Sequence, residues 1–147
     1  DWLRKSLNDD DCFWDPVRIT LPPSPNDKTD DENLASLADT LCSFDRLRTL
    51  DIRNEITDQS AKALGRLTRL TTLRLSNTAV SDETIRQLVK LKQLRSLTLS
   101  GTQITDDCID DLSKLTSLTR LSLVDTQLSE DAILKLSLKL SKCKITF

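Results

Sequence analysis

Histidine is absent from this chain of 147 residues. Without it there are no Ser-His-Asp or Cys-His nucleophile pairs, and most catalytic zinc sites are excluded. Glycine is nearly absent as well: Gly65 and Gly101 are the only two, too few for a glycine-rich phosphate loop. No apolar run approaches the roughly 18 residues that a bilayer-spanning helix needs, so membrane insertion by this segment is not expected. The four cysteines, Cys12, Cys42, Cys108 and Cys143, show no C-x-x-C spacing, which argues against a zinc or redox motif. A pI of about 5.2, with no interleaving of basic and aromatic positions, argues against nucleic acid as a partner. Aromatic residues are limited to three Phe and two Trp, so leucine and isoleucine must fill the interior.

What the chain does contain is a repeated phrase: LTTLRLSNTAVSD from Leu70, LRSLTLSGTQITD from Leu94 and LTRLSLVDTQLSE from Leu118. The leading leucines Leu47, Leu70, Leu94 and Leu118 stand 23, 24 and 24 residues apart. A fixed period of that size is the signature of a solenoid, in which stacking neighbours bury one another's apolar faces. Each unit opens with alternating apolar residues and continues with apolar residues three apart, such as Ile85, Leu88, Leu91 and Ile109, Leu112, Leu115. That change of period predicts a strand followed by a helix.

A weaker unit precedes these, with Val17, Ile19 and Leu21 as its strand and Leu34, Leu37, Ala38, Leu41 and Phe44 as a helical stripe. Pro22, Pro23 and Pro25 lie between them, cannot donate ladder bonds, and predict a loop. Trp2, Phe13 and Trp14 lie outside the regular units and are read as a roof over the first repeat, or as ordinary core. At the other end Leu140, Cys143 and Ile145 restate the strand pattern. The expected organisation is one domain over 1–147, with an amino-terminal cap at 1–16, an irregular first repeat at 17–46, regular repeats at 47–139 and a capping strand at 140–147. Asn54-Glu55-Ile56 makes its turn one residue short, and a local irregularity is expected there.

Helix starts are marked by Thr57-Asp58, Ser81-Asp82-Glu83, Thr105-Asp106-Asp107 and Ser129-Glu130-Asp131. The hydroxyls suit the cap position and the acids the positive helix end. Thr78, Thr102 and Thr126 recur after each strand, where a hydroxyl could bond neighbouring backbone as a ladder down the stack. The acid pairs Asp106/Asp107 and Asp110/Asp111 are the nearest approach to a general acid and base. Adjacent helical residues point in different directions, however, so these read as solvated acids. Cys108 and Cys143 read as small hydrophobes. Cys12 and Cys42 are the only pair placed in one region, and whether they form a disulfide stays open.

The unit L-x-x-L-x-L-x-x-T-x-I/V-S/T-D resembles that of bacterial leucine-rich-repeat proteins over about residues 47–145, and more loosely over 17–44. It is also similar to the cysteine-containing repeats of eukaryotic F-box proteins. Thr78, Thr102 and Thr126 replace the cysteine of that type, so the resemblance does not support a ubiquitin-ligase reading. The resemblance implies an α/β fold: a right-handed horseshoe solenoid with a parallel sheet on the concave side and helices on the convex side. It also implies a role in binding other macromolecules, and with the missing catalytic residues the expectation is a non-catalytic, monomeric module that binds another protein, with no cofactor and no metal. The rival reading is a structural spacer, or part of a larger membrane-anchored or regulatory protein, with no dedicated site here. The compartment stays open.

On that geometry the outward strand positions line the concave face: Thr49, Asp51, Arg53; Thr72, Arg74, Ser76; Ser96, Thr98, Ser100; Arg120, Ser122, Val124; and Lys142, Lys144, Thr146. Asp51, Arg53, Arg74, Ser76, Thr98, Arg120, Ser122 and Lys144 are the candidate partner-binding residues. Acids crowd the helix starts instead, so the net charge of -2 conceals a segregated field. An acidic segment of a partner is the expected occupant, with Arg53, Arg74 and Arg120 leading. Six strands about 4.8 Å apart span only about 25 Å. The face is therefore small beside a standard interface of roughly 20–30 residues a side.

Overall fold

The computed structural model describes residues 18–21, 38–39, 41–52 and 56–147. Six short strands, β1 (Arg18–Leu21), β2 (Thr49–Ile52), β3 (Thr72–Arg74), β4 (Ser96–Thr98), β5 (Arg120–Ser122) and β6 (Lys144–Thr146), form one sheet in chain order. Every pairing is parallel, and the register is constant: Leu50, Leu73, Leu97, Leu121 and Ile145 stand side by side. Parallel neighbours require a crossover between them. Here the crossovers are the helices α1 (Ala61–Arg66), α2 (Asp82–Leu88), α3 (Ile109–Leu112) and α4 (Glu130–Lys139), of which α1 and α3 are entered through 3-10 turns at Asp58–Ser60 and Asp106–Cys108. Residues 38–39 and 41–43 are also helical. The result is an α/β leucine-rich-repeat solenoid, with the sheet on one side and the helices on the other.

The interior is a set of rows. Leu47, Leu70, Leu94 and Leu118 form the first, Leu50, Leu73, Leu97 and Leu121 the second, and Ile52, Leu75, Leu99 and Leu123 the third; all are buried. Ile85 and Leu88 of α2, Ile109 and Leu112 of α3, and Ile133 and Leu136 of α4 close the layer from behind. Ala38 and Leu41 of the first unit are buried and Phe44 is half-buried, packed on the same cluster. Leu34, Leu37, Trp2, Phe13, Trp14, Cys12 and the short turn at Asn54-Glu55 lie outside the described residues. Cys42 is a half-buried free thiol.

All four expected caps form. Thr57, Ser81 and Thr105 each accept a bond from the backbone N–H two residues on, and Ser129 accepts one from the Ala132 N–H. The aspartate that follows each of the first three caps does something the sequence alone did not reveal. Asp58 accepts the Ser81 N–H at 2.9 Å and the Ser81 hydroxyl at 2.5 Å. Asp82 accepts the Thr105 N–H and hydroxyl at 2.8 and 2.6 Å, and Asp106 accepts the Ser129 N–H and hydroxyl at 2.8 and 2.7 Å. Each acid therefore reaches across to hold the cap of the next repeat. Asp58 also accepts the Thr84 N–H and hydroxyl, at 3.2 and 2.6 Å.

The threonine row behaves in the opposite way. Thr78, Thr102 and Thr126 donate to the carbonyls of Leu75, Leu99 and Leu123 at 2.8, 2.6 and 2.8 Å. The hydroxyl locks its own turn and makes no ladder between repeats. The turn is tight because the residue before each threonine is left-handed: Asn77, Gly101 and Asp125 have φ of 57°, 69° and 55°. Glycine enters that region without steric cost, and Asn and Asp tolerate it better than other residues. The other glycine serves a close approach, since a Cβ on Gly65 of α1 would lie 3.0 Å from the Gln87 carbonyl of α2.

Two predictions follow from the acid-to-cap bonds. Asp82→Ala leaves the Thr105 N–H and hydroxyl without their acceptor. It should cost about 1–3 kcal/mol in urea unfolding, whereas Asp107→Ala, one residue beyond the bonded position, should change stability little. The second concerns acid. Burial alone would raise the Asp58 carboxyl, but the bonds from Ser81 and Thr84 outweigh it and hold the pKa below its ordinary value; Asp106 is lowered by its bonds from Ser129. A depressed carboxyl contributes stability above its unfolded pKa and loses it as pH falls through the folded one. The urea midpoint should accordingly hold down to about pH 5 and fall below about pH 4. In Asp58→Asn it should be lower at neutral pH and fall less steeply in acid.

Candidate functional site

The sheet register that buries the leucines also fixes the outward side chains in rows. The first is Thr49, Thr72, Ser96, Arg120, Lys144, and the second Asp51, Arg74, Thr98, Ser122, Thr146. Hydroxyl groups dominate the middle, where Thr72, Ser96, Thr98 and Ser122 are half-buried between neighbouring strands. The Ser100 and Ser122 hydroxyls lie 2.9 Å apart and share a hydrogen bond. The side chains there are small and polar. Val124, 36% exposed, is the one large apolar side chain among these positions.

The charges on this face are placed unequally. Asp51 is only 4% exposed, and its carboxylate lies 3.8 Å from the Arg74 guanidinium on the neighbouring strand. That pair neutralises itself at the amino-terminal end. Asp51, Ile52, Arg74, Ser76 and Asn77 line an open depression of about 430 Å³ beside it. At the other end Arg120 and Lys144 are both exposed and stand in register on β5 and β6. Neither has an ion-pair partner among the described residues. Arg53, expected to lead the contacts, lies outside the described residues. Arg95, absent from the expected set, is exposed immediately before β4. Its carbonyl accepts the N–H groups of Thr119 and Arg120, which places it next to Arg120, the cation of the following repeat. The signal for it was faint, because it sits one position before the alternating part of the strand.

Away from this face many of the titratable groups are engaged structurally. Asp110 is held by Lys139 at 2.6 Å and Asp111 by Lys114 at 2.6 Å, and Asp106 holds the Ser129 cap, so three of the four acids in the candidate pairs are committed and only Asp107 is left as an exposed acid. Burial pushes the Cys108 thiol up to about 12, and Asp82 beside it adds to the rise; such a thiol is inert at neutral pH. Among the described residues, no group of three or more His, Cys, Asp or Glu converges as metal ligands. No described helix is long and apolar enough to cross a membrane. A second hollow, of about 220 Å³, lies among Leu41, Cys42, Phe44, Leu47, Leu67 and Leu70. Its rim arginines Arg66 and Arg69 are paired with Asp39 and Asp45.

A sequence profile of the Leucine Rich Repeat family matches residues 93–115. No curated protein matches the chain in sequence. Among solved structures, a leucine-rich-repeat protein of Leptospira interrogans is 28% identical with a TM-score of 0.53, over 69% of this chain and 26% of its own length. An internalin C2 of Listeria monocytogenes is 29% identical with a TM-score of 0.58, over 72% of this chain and 44% of its own. A TLR13 chain solved in complex with the single-stranded RNA ssRNA13 shares the fold at 19% identity, with a TM-score of 0.55 over 77% of this chain and 16% of its own. The chain thus spans less than half of each of these three structures. With its constant register and its leucine rows, the chain has the leucine-rich-repeat fold, and it is similar to bacterial leucine-rich-repeat proteins.

Proposed function

We propose that this solenoid is a protein-interaction module and that its partner lies on the concave face. Leucine-rich repeats are typically protein-interaction scaffolds, and the fold offers two broad surfaces on which to act. The observation that carries the choice is the commitment of the helical side. There many of the acids are taken up by helix caps and ion pairs, as in Arg86 with Glu83 and Lys139 with Asp110, although Lys62, Lys92 and Lys135 stay outside such pairs among the described residues. On the strand side, hydroxyls and unpaired cations face solvent in fixed rows. Groups fixed on hydrogen-bonded strands are positioned with little ordering cost on binding. The reading names Arg74, Ser76, Thr98, Arg120, Ser122 and Lys144 as contacts. Asp51 contributes indirectly, by orienting Arg74.

No part of this reading requires catalysis. Among the described residues, the face contains no nucleophile paired with a base. Its small extent points to a modest, transient affinity if the face acts alone.

Capture of the partner from the source lysate tests the assignment when three proteins are compared. Thr98→Trp places a bulky ring in the middle of the face, and Lys62→Gln/Lys90→Gln alters only the helical side. A partner retained by wild type and by the helical-side variant, and lost from Thr98→Trp, is the expected result. A partner lost only from the helical-side variant would overturn the assignment. Circular dichroism on each variant checks that the fold is intact.

A further inference from the structure

We infer that the partner segment is acidic and that its carboxylates are held between Arg120 and Lys144; this rests on the concave face being the binding surface. Three observations carry the inference. The first is position. Arg120 and Lys144 are register neighbours on adjacent parallel strands, which stand about 4.8 Å apart, so a single carboxylate reaches both cations.

The second observation is the absence of compensation. Like charges side by side on one face of a sheet are destabilising, and the fold elsewhere avoids them. Arg74 is balanced by Asp51, Arg86 by Glu83 and Asp111, and Lys114 by Asp111. Arg120 and Lys144 have no such counter-charge among the described residues, and the exposed Arg95 and Lys142 beside them have none either. A bound carboxylate relieves the repulsion that the empty face must tolerate. Arg120 offers a fork of donors suited to it, and Lys144 a point charge.

The third observation is where the acids have gone. Residues 56–147 contain 14 Lys and Arg against 10 Asp and Glu, so these repeats are cationic although the whole chain carries -2. Asp58, Asp82 and Asp106 are bound to the caps of the next repeats, and Glu83, Asp110 and Asp111 are in ion pairs. Lysines such as Lys62 and Lys135 are scattered over the helical side, whereas Arg120 and Lys144 stand in register as adjacent cations without an ion pair among the described residues, at the carboxy-terminal end of the strand side. An acidic polypeptide fits this surface better than a nucleic acid does. No aromatic ring occupies any concave strand position, so unpaired bases have nothing on which to stack, while Ser96, Ser122 and Thr146 supply hydroxyls for backbone and carboxylate oxygens.

Selection from a random peptide library displayed on phage, against the intact protein, tests the inference without a known partner. Enriched sequences should be net acidic. A synthetic peptide from that set should bind Arg120→Gln/Lys144→Gln at least roughly tenfold more weakly than wild type, lose affinity with added salt, and bind Lys62→Gln/Lys90→Gln unchanged. Arg120→Glu/Lys144→Glu should select basic peptides instead. Neutral or basic peptides enriched by wild type and lost from Thr98→Trp would overturn the acidic-partner inference and leave the concave assignment standing. Peptides indifferent to both sets of substitutions would overturn both. A mixed-sequence single-stranded oligonucleotide that binds wild type more tightly than the acidic peptides would also overturn the inference.

Discussion

The parallel backbone ladder that aligns Leu50, Leu73, Leu97 and Leu121 is the interaction on which the other features of this solenoid depend. One repeat alone has an apolar edge and nothing to bury it against. Its leucines leave water only when an identical strand lies about 4.8 Å away, and the ladder holds that strand at an offset of 23 or 24 residues. Once the offset is set, every recurring residue stacks on its own kind. The left-handed turns at Asn77, Gly101 and Asp125 and the threonine locks that follow them reset the chain to the same direction after each strand.

The acid-to-cap bonds depend on the same offset. Asp58, Asp82 and Asp106 stand 23 residues before Ser81, Thr105 and Ser129, and the stack places each carboxylate opposite the next cap. A hydroxyl that accepts a bond from its own helix and donates one to the preceding repeat ties the two units at a single atom. This couples the repeats along the helix starts in addition to the sheet. It also uses up negative charge, leaving the opposite face with its cations.

That face shows how a row produces chemistry that no single residue has. Asp51 and Arg74 come from different repeats and neutralise each other because they are neighbours on β2 and β3. Arg120 and Lys144 are neighbours on β5 and β6 by the same rule and carry the same sign. Whether a concave cation is available to a partner is thus settled by the residue one repeat away. Arg74 looked as available as Arg120 in the sequence, and the two differ only in their neighbours.

By itself the amino-acid sequence determined the repeat length, the strand and helix order, the leucine rows and the four cap hydroxyls. All of these rest on interactions within a few residues or on a strict period, and periodicity is visible in one dimension. The tertiary structure alone decided that Asp82 serves the cap at Thr105 rather than its own helix, that Thr102 bonds within its own turn, and that Arg120 and Lys144 share an uncompensated edge. Hydrogen-bond geometry and like-charge proximity are matters of a few ångströms. They arise only once the turns bring residues 23 or 24 apart into contact.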